Sequence, residues 1–216
     1  MGTKLKGQIG CNGCATLECR RGYPKGIPSD CLAARFSGIV ERTKSEYSAQ
    51  QVVDIYRASG KVVTNGHGRW PRVQEAIEFA KELRLKKIGF ASCVALIREL
   101  RMVAELFNGA GFDTISVACQ IGKVSPEARG VKVDSKDFKG LYCNPIAQAE
   151  ILNGENTQLN LLLGLCLGHD ILFNRYSKAP VSTLIVKDRV TGHNPAAALY
   201  ASSHHRTLRK LYCGKE

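Results

Sequence analysis

The stretch Lys87-Ile88-Gly89-Phe90-Ala91-Ser92-Cys93 decides the fold. It is a short, nearly continuous apolar run, which is typical of a strand buried on both faces of a sheet. Residues 94–108 then follow a helical period, and Gly109 ends that helix. A buried strand that leads directly into a helix predicts a parallel α/β unit.

The same unit recurs after this stretch. Further strands are predicted over residues 114–118, 160–165 and 181–187, and further helices over residues 45–59, 71–85, 145–152, 169–176 and 195–211. Asn194 is expected to cap the last helix, with Pro195 in its first position. The alternation predicts an α/β fold, an open, doubly wound, mostly parallel sheet of four to five strands. Sites in such folds lie at the carboxyl ends of the strands.

The first 35 residues differ from the rest of the chain. They carry four cysteines with the spacing C-x2-C-x4-C-x11-C on a loop rich in glycine and proline: Cys11, Cys14, Cys19 and Cys31. Four thiolates so spaced suit either tetrahedral zinc or a 4Fe–4S cluster, and unrelated reduced thiols are the alternative. We therefore predict a Cys-rich metal-binding segment over residues 1–35 and an α/β domain over residues 36–216.

A second set of cysteines is spread through the predicted α/β domain. Each follows a predicted strand or precedes a predicted helix, and the gaps between them are 25, 23 and 22 residues: Cys93, Cys119, Cys143 and Cys166, here called the edge cysteines. We expect their sulfurs to collect at the carboxyl edge of the sheet, where helix N-termini favour thiolate. They are predicted to bind a second iron–sulfur cluster, and ordinary buried cysteines are the alternative.

Three more side chains are predicted to lie at the same edge. His169 follows the third strand, and Asp188 and His193 follow the fourth. Because a histidine beside a cluster can ligate it or move protons, these three residues are candidate catalytic residues. The alternative is that His193 and Asp188 only cap or tie down a turn. Lys187 is interpreted as a surface lysine at the end of a strand.

Composition and charge restrict the partners. The net charge is +12, but the 31 Lys and Arg residues are scattered and aromatic residues make up only 7%, so nucleic-acid binding is not favoured. A basic surface that docks an acidic redox partner, such as a ferredoxin or flavodoxin, suits the same charge.

No apolar run reaches membrane-spanning length and no secretory signal is visible, so we predict a cytoplasmic location. There, nine cysteines favour metal binding over disulfides.

Several runs in the second half of the chain resemble a known family. They are Cys143-Asn144-Pro145-Ile146-Ala147-Gln148-Ala149-Glu150, Gly164-Leu165-Cys166-Leu167-Gly168-His169-Asp170, Val186-Lys187-Asp188-Arg189-Val190 and Gly192-His193-Asn194-Pro195. On the basis of these runs, the chain resembles the family named domain of unknown function 1847, an uncharacterised bacterial and archaeal family of predicted metal-binding proteins. The resemblance covers nearly the whole chain. The resemblance implies metal binding and no established reaction. One departure is Gln120, where a basic residue is expected after Cys119.

Two hypotheses of function follow. The first is an iron–sulfur protein with a redox or sulfur-handling role, in which the N-terminal 4Fe–4S cluster relays electrons to a second cluster on the α/β domain. If only three edge cysteines ligate iron, the open iron would bind a small-molecule substrate, with His169 or His193 moving protons. The alternative is a zinc-binding interaction module with a basic partner-binding surface and no catalysis.

Overall fold

A computed structural model describes residues 10–14, 16–122, 124–125, 130 and 143–214. The chain divides into two compact units, Met1–Gly60 and Lys61–Glu216. They are described separately below. None of the described helices is both long and apolar enough to cross a membrane.

The first unit consists of short helical pieces. It contains 3-10 turns at Cys11–Gly13, Glu18–Arg21 and Lys44–Ser48, helices α1 (Leu32–Arg35) and α2 (Ser37–Thr43), and the start of α3 (Gln50–Gly66). The helix predicted over residues 45–59 begins later, because Ala49 is extended between the 3-10 turn and α3. It also runs further, to Gly66. Among the described residues of this unit, only Ala58 is buried. An apolar core therefore does not organise the described residues of this unit.

The second unit contains the strands and helices of the α/β fold. Its elements are α4 (Arg72–Glu82), β1 (Lys87–Ser92), α5 (Ile97–Gly109), β2 (Asp113–Ala118), α6 (Pro145–Gly154), β3 (Leu159–Leu163), α7 (His169–Tyr176), β4 (Val181–Ile185), α8 (Ala197–Tyr200) and α9 (Ser202–Cys213). In the described part of the chain the sheet has four strands in the order β2-β1-β3-β4. All three strand pairs are parallel. The predicted fold class is confirmed.

Helices cover both faces of the sheet. On one face, Ile88 and Phe90 of β1 pack with residues of α4 and α5, and the Phe90 and Phe107 rings meet edge to face at 5.3 Å. On the other face, Ala91 of β1 packs with residues of α6 and α7, including Phe173. Alternate side chains of a strand point to opposite faces, so a central strand that is apolar throughout must be covered on both sides.

The strand register brings the ends of three strands level. Ser92 at the end of β1 lies opposite Ala118 of β2 and Leu163 of β3. The pairing of β3 with β4 changes register between Leu162 and Leu163, where β4 contains an extra residue, Leu184. Such a β-bulge bends its strand and changes the phase of the side chains that follow. It lies directly before the segment that carries Lys187.

The prediction of a single helix at the end of the chain is wrong. The helix predicted over residues 195–211 is two helices, α8 and α9, separated by Ala201 in an extended conformation (φ −70°, ψ 113°). Asn194 and Pro195 precede α8 rather than opening one long helix. Leu199 and Tyr200 are 60% and 85% exposed, so they provide little packing to hold a continuous helix across the break.

Gly89 allows a close approach in the centre of the sheet. A Cβ atom at this position would collide with Asn160 Oδ1 and would lie 3.0 Å from Leu152 Cδ1. Asn160 cannot move freely, because Thr157 Oγ1 donates to its Oδ1 at 2.7 Å and its Nδ2 donates to Ser177 Oγ at 2.9 Å.

We therefore expect Gly89→Ala to destabilise the protein by about 1–3 kcal/mol, the usual cost of overpacking a core. Urea unfolding followed by circular dichroism measures the change. Gly109→Ala at the end of α5 is the matched control, because a Cβ there has no neighbour within 4 Å. The packing argument fails if the two variants unfold at the same urea concentration.

Candidate functional site

The register places two cysteines side by side at the carboxyl edge of the sheet. Cys93 directly follows β1 and Cys119 directly follows β2. The ladder continues through both, because Cys93 N–H donates to Leu163 O at 3.0 Å and Cys119 N–H donates to Ser92 O at 2.8 Å. Their side chains are 7% and 2% exposed.

Cys143 joins this pair from the start of α6. Asn144 N–H donates to Cys119 O at 2.6 Å, which ties the helix start to the end of β2. Cys143 Sγ lies 3.5 Å from Cys119 Sγ, within hydrogen-bond distance for sulfur. Asn144 also caps α6, since its Oδ1 accepts the Ala147 N–H at 3.0 Å. The sequence-predicted collection of cysteines at this edge therefore holds for these three residues.

Gln148 fixes α6 against the same strand ends. Its side chain is fully buried, and its Nε2 donates to Ser92 O at 3.2 Å and to Val117 O at 2.7 Å. Both carbonyls belong to residues within two positions of an edge cysteine. Sequence reasoning did not single out Gln148. The available signal was a glutamine four residues after Asn144, on a helix whose neighbouring positions are apolar.

Cys93 lies among hydrogen-bond donors. Its sulfur interacts with the Cys119 thiol, the Ala95 backbone N–H and Lys187, whose Nζ is 3.2 Å from Cys93 Sγ. The hydrogen bond with Cys119 is the largest cause that lowers the pKa of Cys93, to about 5, against the opposing effect of burial. The same shared proton, together with burial, raises the pKa of Cys119. Of the two thiols, Cys93 is therefore the one that loses its proton first.

Cys166 lies at the same edge, beside Arg189. Gly164 N–H donates to Ile185 O at 2.7 Å, which keeps the loop after β3 next to the end of β4. Arg189 Nη2 lies 3.5 Å from the half-buried Cys166 sulfur. The hydrogen bond to Cys166 is the main cause that raises the pKa of Arg189, and Cys93 and Cys143 contribute through their charges. Three of the four edge cysteines, Cys93, Cys143 and Cys166, therefore affect the same guanidinium group.

The sequence-based interpretation of Lys187 is wrong. The residue was interpreted as a surface lysine, but it is half-buried with its ammonium against Cys93. The residue directly after Cys119 is Gln120, which carries no charge. Lys187 and Arg189, which follow β4, place positive charge beside the edge cysteines.

Asp188 and His193 build the turn that follows β4. His193 Nδ1 accepts the Asp188 N–H at 3.1 Å, and Asp188 Oδ1 accepts the N–H groups of Val190 and Thr191 at 2.9 and 3.1 Å. These contacts agree with the alternative that both residues tie down a turn. His169 is the first residue of α7, three positions after Cys166. A catalytic role for His169, His193 or Asp188 stays a prediction.

The N-terminal cysteines lie in the first unit. Cys14 Sγ accepts the Leu17 N–H at 3.4 Å, and this hydrogen bond is the main cause that lowers the pKa of Cys14. Cys31 Sγ is 3.9 Å from the Tyr23 hydroxyl. The contact with Cys31, and more weakly the charges of Cys19 and Cys11, raise the pKa of Tyr23. Of the four predicted ligands, Cys31 is the one whose sulfur approaches the phenol hydroxyl.

The described side chains do not form a ready-made metal site. Across the described ranges, no group of three or more Cys, His, Asp or Glu side chains is arranged to hold a metal ion. The donor chemistry of Cys11, Cys14, Cys19 and Cys31 suits zinc or iron, but their positions do not form a preorganised site. The predicted clusters gain no support from this geometry and stay predictions.

Comparison with known proteins identifies the family. The family described as "Protein of unknown function (DUF1847)" matches residues 31–184. The chain belongs to this family. It is also 40% identical, over 177 residues, to an uncharacterised protein of Methanocaldococcus jannaschii, an alignment that covers 82% of this chain and 90% of that protein. The family match includes all four edge cysteines, whereas of the N-terminal set it includes only Cys31. Neither comparison assigns a reaction.

The pKa of Cys93 predicts an unusual pH profile of alkylation. Iodoacetamide reacts with thiolates, so modification of Cys93 is expected to reach half its maximal rate near pH 5 rather than at about 8.5, as for an ordinary cysteine. Trypsin releases Cys93 on the peptide of residues 88–98, which contains no other cysteine, so mass spectrometry follows it alone.

Lys187→Gln is expected to move this midpoint upward by about one pH unit, because a cation in contact with the thiolate is lost. Lys178→Gln, at an exposed lysine before β4, is the matched control and should leave the profile unchanged. A Cys93 midpoint at the ordinary thiol value would contradict the thiolate assignment.

Proposed function

We propose that this chain is a thiol-based redox or sulfur-handling protein whose reactive group is the Cys93 thiolate. One observation carries the proposal: Lys187 Nζ lies 3.2 Å from Cys93 Sγ, and the parallel ladder places Cys119 at the neighbouring strand end. Cys143 Sγ in turn lies 3.5 Å from Cys119 Sγ. A nucleophilic thiolate with a second thiol on the neighbouring strand end is an arrangement used for thiol–disulfide exchange. The edge cysteines are here assigned to thiol chemistry rather than to metal binding.

The reaction with a small disulfide has two steps. The Cys93 thiolate attacks one sulfur of the disulfide, forms a mixed disulfide and releases the other half as a thiolate. Cys119, after losing its proton to that leaving thiolate, then attacks Cys93 Sγ and releases the second half. The products are a Cys93–Cys119 disulfide, one small thiol and one small thiolate, so the oxidation of the protein cysteines balances the reduction of the small disulfide.

The strand register supports the second step. Cys93 and Cys119 each follow one of the paired residues Ser92 and Ala118. Neighbouring strands lie about 4.8 Å apart, within the range of roughly 4.4–6.8 Å that Cα atoms span across a disulfide. The two cysteines are therefore expected to form a bond without a large backbone movement.

Treatment with oxidised glutathione at about pH 6, where ordinary thiols are protonated, tests the proposal. We expect the tryptic peptides of residues 88–98 and 102–123, which contain Cys93 and Cys119 respectively, to become linked. Cys119→Ser should trap glutathione on the Cys93 peptide, because the resolving thiol is absent. Mass spectrometry without prior reduction detects both products.

Cys213→Ser, near the exposed end of α9, is the control and should behave as the natural protein. Cys93→Ser should abolish both the mixed disulfide and the link at this pH. The proposal is refuted if Cys93→Ser forms the same products at the same rate, or if glutathione attaches to other cysteines first.

A second candidate function is metal binding by the first unit. Two observations favour it. Cys31, Cys19 and Cys11 all contribute to the raised pKa of the Tyr23 hydroxyl. Ala58 is the only buried residue among those described in this unit. A chain segment without an apolar core gains most from a metal that joins its thiolates. The unit would then take up zinc or a 4Fe–4S cluster as it folds. A cluster would receive electrons from an acidic redox partner, since the chain carries a net charge of +12.

Metal and acid-labile sulfide analysis of protein purified without oxygen tests this candidate. We expect either about one zinc without sulfide or about four iron and four sulfide per chain. Cys14→Ala should lose the metal and Cys166→Ala should keep it. Protein without metal would exclude the candidate, and the opposite response of the two variants would place the metal at the edge cysteines instead.

A further inference from the structure

Two cations reach the edge cysteines from the segment after β4. Lys187 Nζ is 3.2 Å from Cys93 Sγ, and Arg189 Nη2 is 3.5 Å from Cys166 Sγ. One residue separates the two in the sequence, so one short segment delivers both charges to the site. An anionic group that approaches the sulfurs would meet both charges.

The described carboxylates do not pair with these two cations. Neither Lys187 nor Arg189 forms an ion pair with a carboxylate of the described residues. The carboxylates nearest in sequence are engaged elsewhere. Asp188 Oδ1 accepts two backbone N–H groups of its own turn, and Asp170 Oδ1 accepts the Gly168 and Ile171 N–H groups at 2.9 and 2.8 Å. Two cations without a carboxylate partner among the described residues favour an anionic ligand.

The burial of the sulfurs limits the size of what can react. Cys93, Cys119 and Cys143 are 7%, 2% and 8% exposed, so their burial favours small reactants over bulky ones. The fold places the site where small ligands bind in open α/β sheets, at the carboxyl ends of β1 and β3. There the connections to neighbouring strands leave in opposite directions.

We propose that the edge cysteines bind a small anionic donor of sulfane sulfur, of the thiosulfate class, and that Cys93 accepts its outer sulfur atom. This inference rests on the proposed function and names the substrate class of the same site. Cys93 provides the nucleophile, and Lys187 and Arg189 provide the positive charge that an anionic donor and its anionic leaving group require.

The transfer is balanced without a further reactant. The Cys93 thiolate attacks the outer sulfur of thiosulfate, and a new S–S bond forms on the protein. The S–S bond of the donor breaks, and its electron pair leaves with sulfite. The thiolate charge moves to the terminal sulfur of the persulfide, and no external oxidant or reductant is consumed. Lys187 and Arg189 stabilise the sulfite dianion as it leaves.

Thiosulfate itself is the probe. Reduced protein is incubated with thiosulfate without oxygen, and two products are measured: sulfite in solution, and the mass gain of one sulfur atom on the peptide of residues 88–98. We expect one sulfite per chain and a persulfide on Cys93. Cys93→Ser should abolish both products.

Arg189→Gln tests the anion site apart from the nucleophile. Arg189 is exposed, so the variant is expected to fold. The second-order rate with thiosulfate should fall about tenfold, the scale of electrostatic steering, and the deficit should shrink as salt is added. Arg175→Gln, at the far end of α7, is the matched control and should react as the natural protein. Iodoacetamide, which is neutral, should modify Cys93 at similar rates in both variants.

The outcomes separate this inference from the function on which it rests. If oxidised glutathione links Cys93 to Cys119 but thiosulfate leaves Cys93 unmodified, the sulfane-sulfur inference is wrong and the thiol redox proposal stands. Equal rates for Arg189→Gln and Arg175→Gln also overturn the inference, because the donor then needs no cation. If neither reagent reacts at Cys93, both proposals fall.

Discussion

The parallel pairing of β1 with β2 and β3 is the constraint on which the site depends. Because Ser92 lies opposite both Ala118 and Leu163, three strands end at the same level. The residue after β1 and the residue after β2 are then neighbours, and both are cysteines. A shift of the register by one residue would separate their sulfurs and turn alternate side chains to the opposite face. Gln148 strengthens this alignment, since its amide bonds to carbonyl groups of both strands.

The site keeps a negative charge in surroundings that oppose it. Burial alone would keep Cys93 protonated, yet three kinds of donor outweigh it: a thiol, a backbone N–H at the start of a helical segment, and an ammonium group. These donors come from different parts of the fold, namely the loops after β2, β1 and β4. The thiolate therefore depends on the assembled sheet, and a peptide containing Cys93 alone would hold an ordinary thiol.

The sequence predicts the parallel sheet because the buried strands are apolar throughout and alternate with helices. It also predicts which cysteines gather, since each directly follows a strand or precedes a helix. It does not predict the role of Lys187, because the bulge at Leu184 and the end of β4 break the side-chain alternation from which its direction could be read. The break at Ala201 is missed for a related reason. Local helix signals continue across it, and only the lack of packing distinguishes the two helices.

The extra residue at Leu184 gives this edge of the sheet an unusual route of variation. A substitution at Lys187 or Arg189 changes one charge at a time. Loss of one residue at the bulge would instead shift the phase of the whole segment and redirect both side chains together, with every charged residue still in the sequence. Among relatives of this chain, insertions and deletions near the end of β4 would therefore alter the chemistry of the cysteine group more than most point mutations. A comparison based on residue identity alone would not detect that difference.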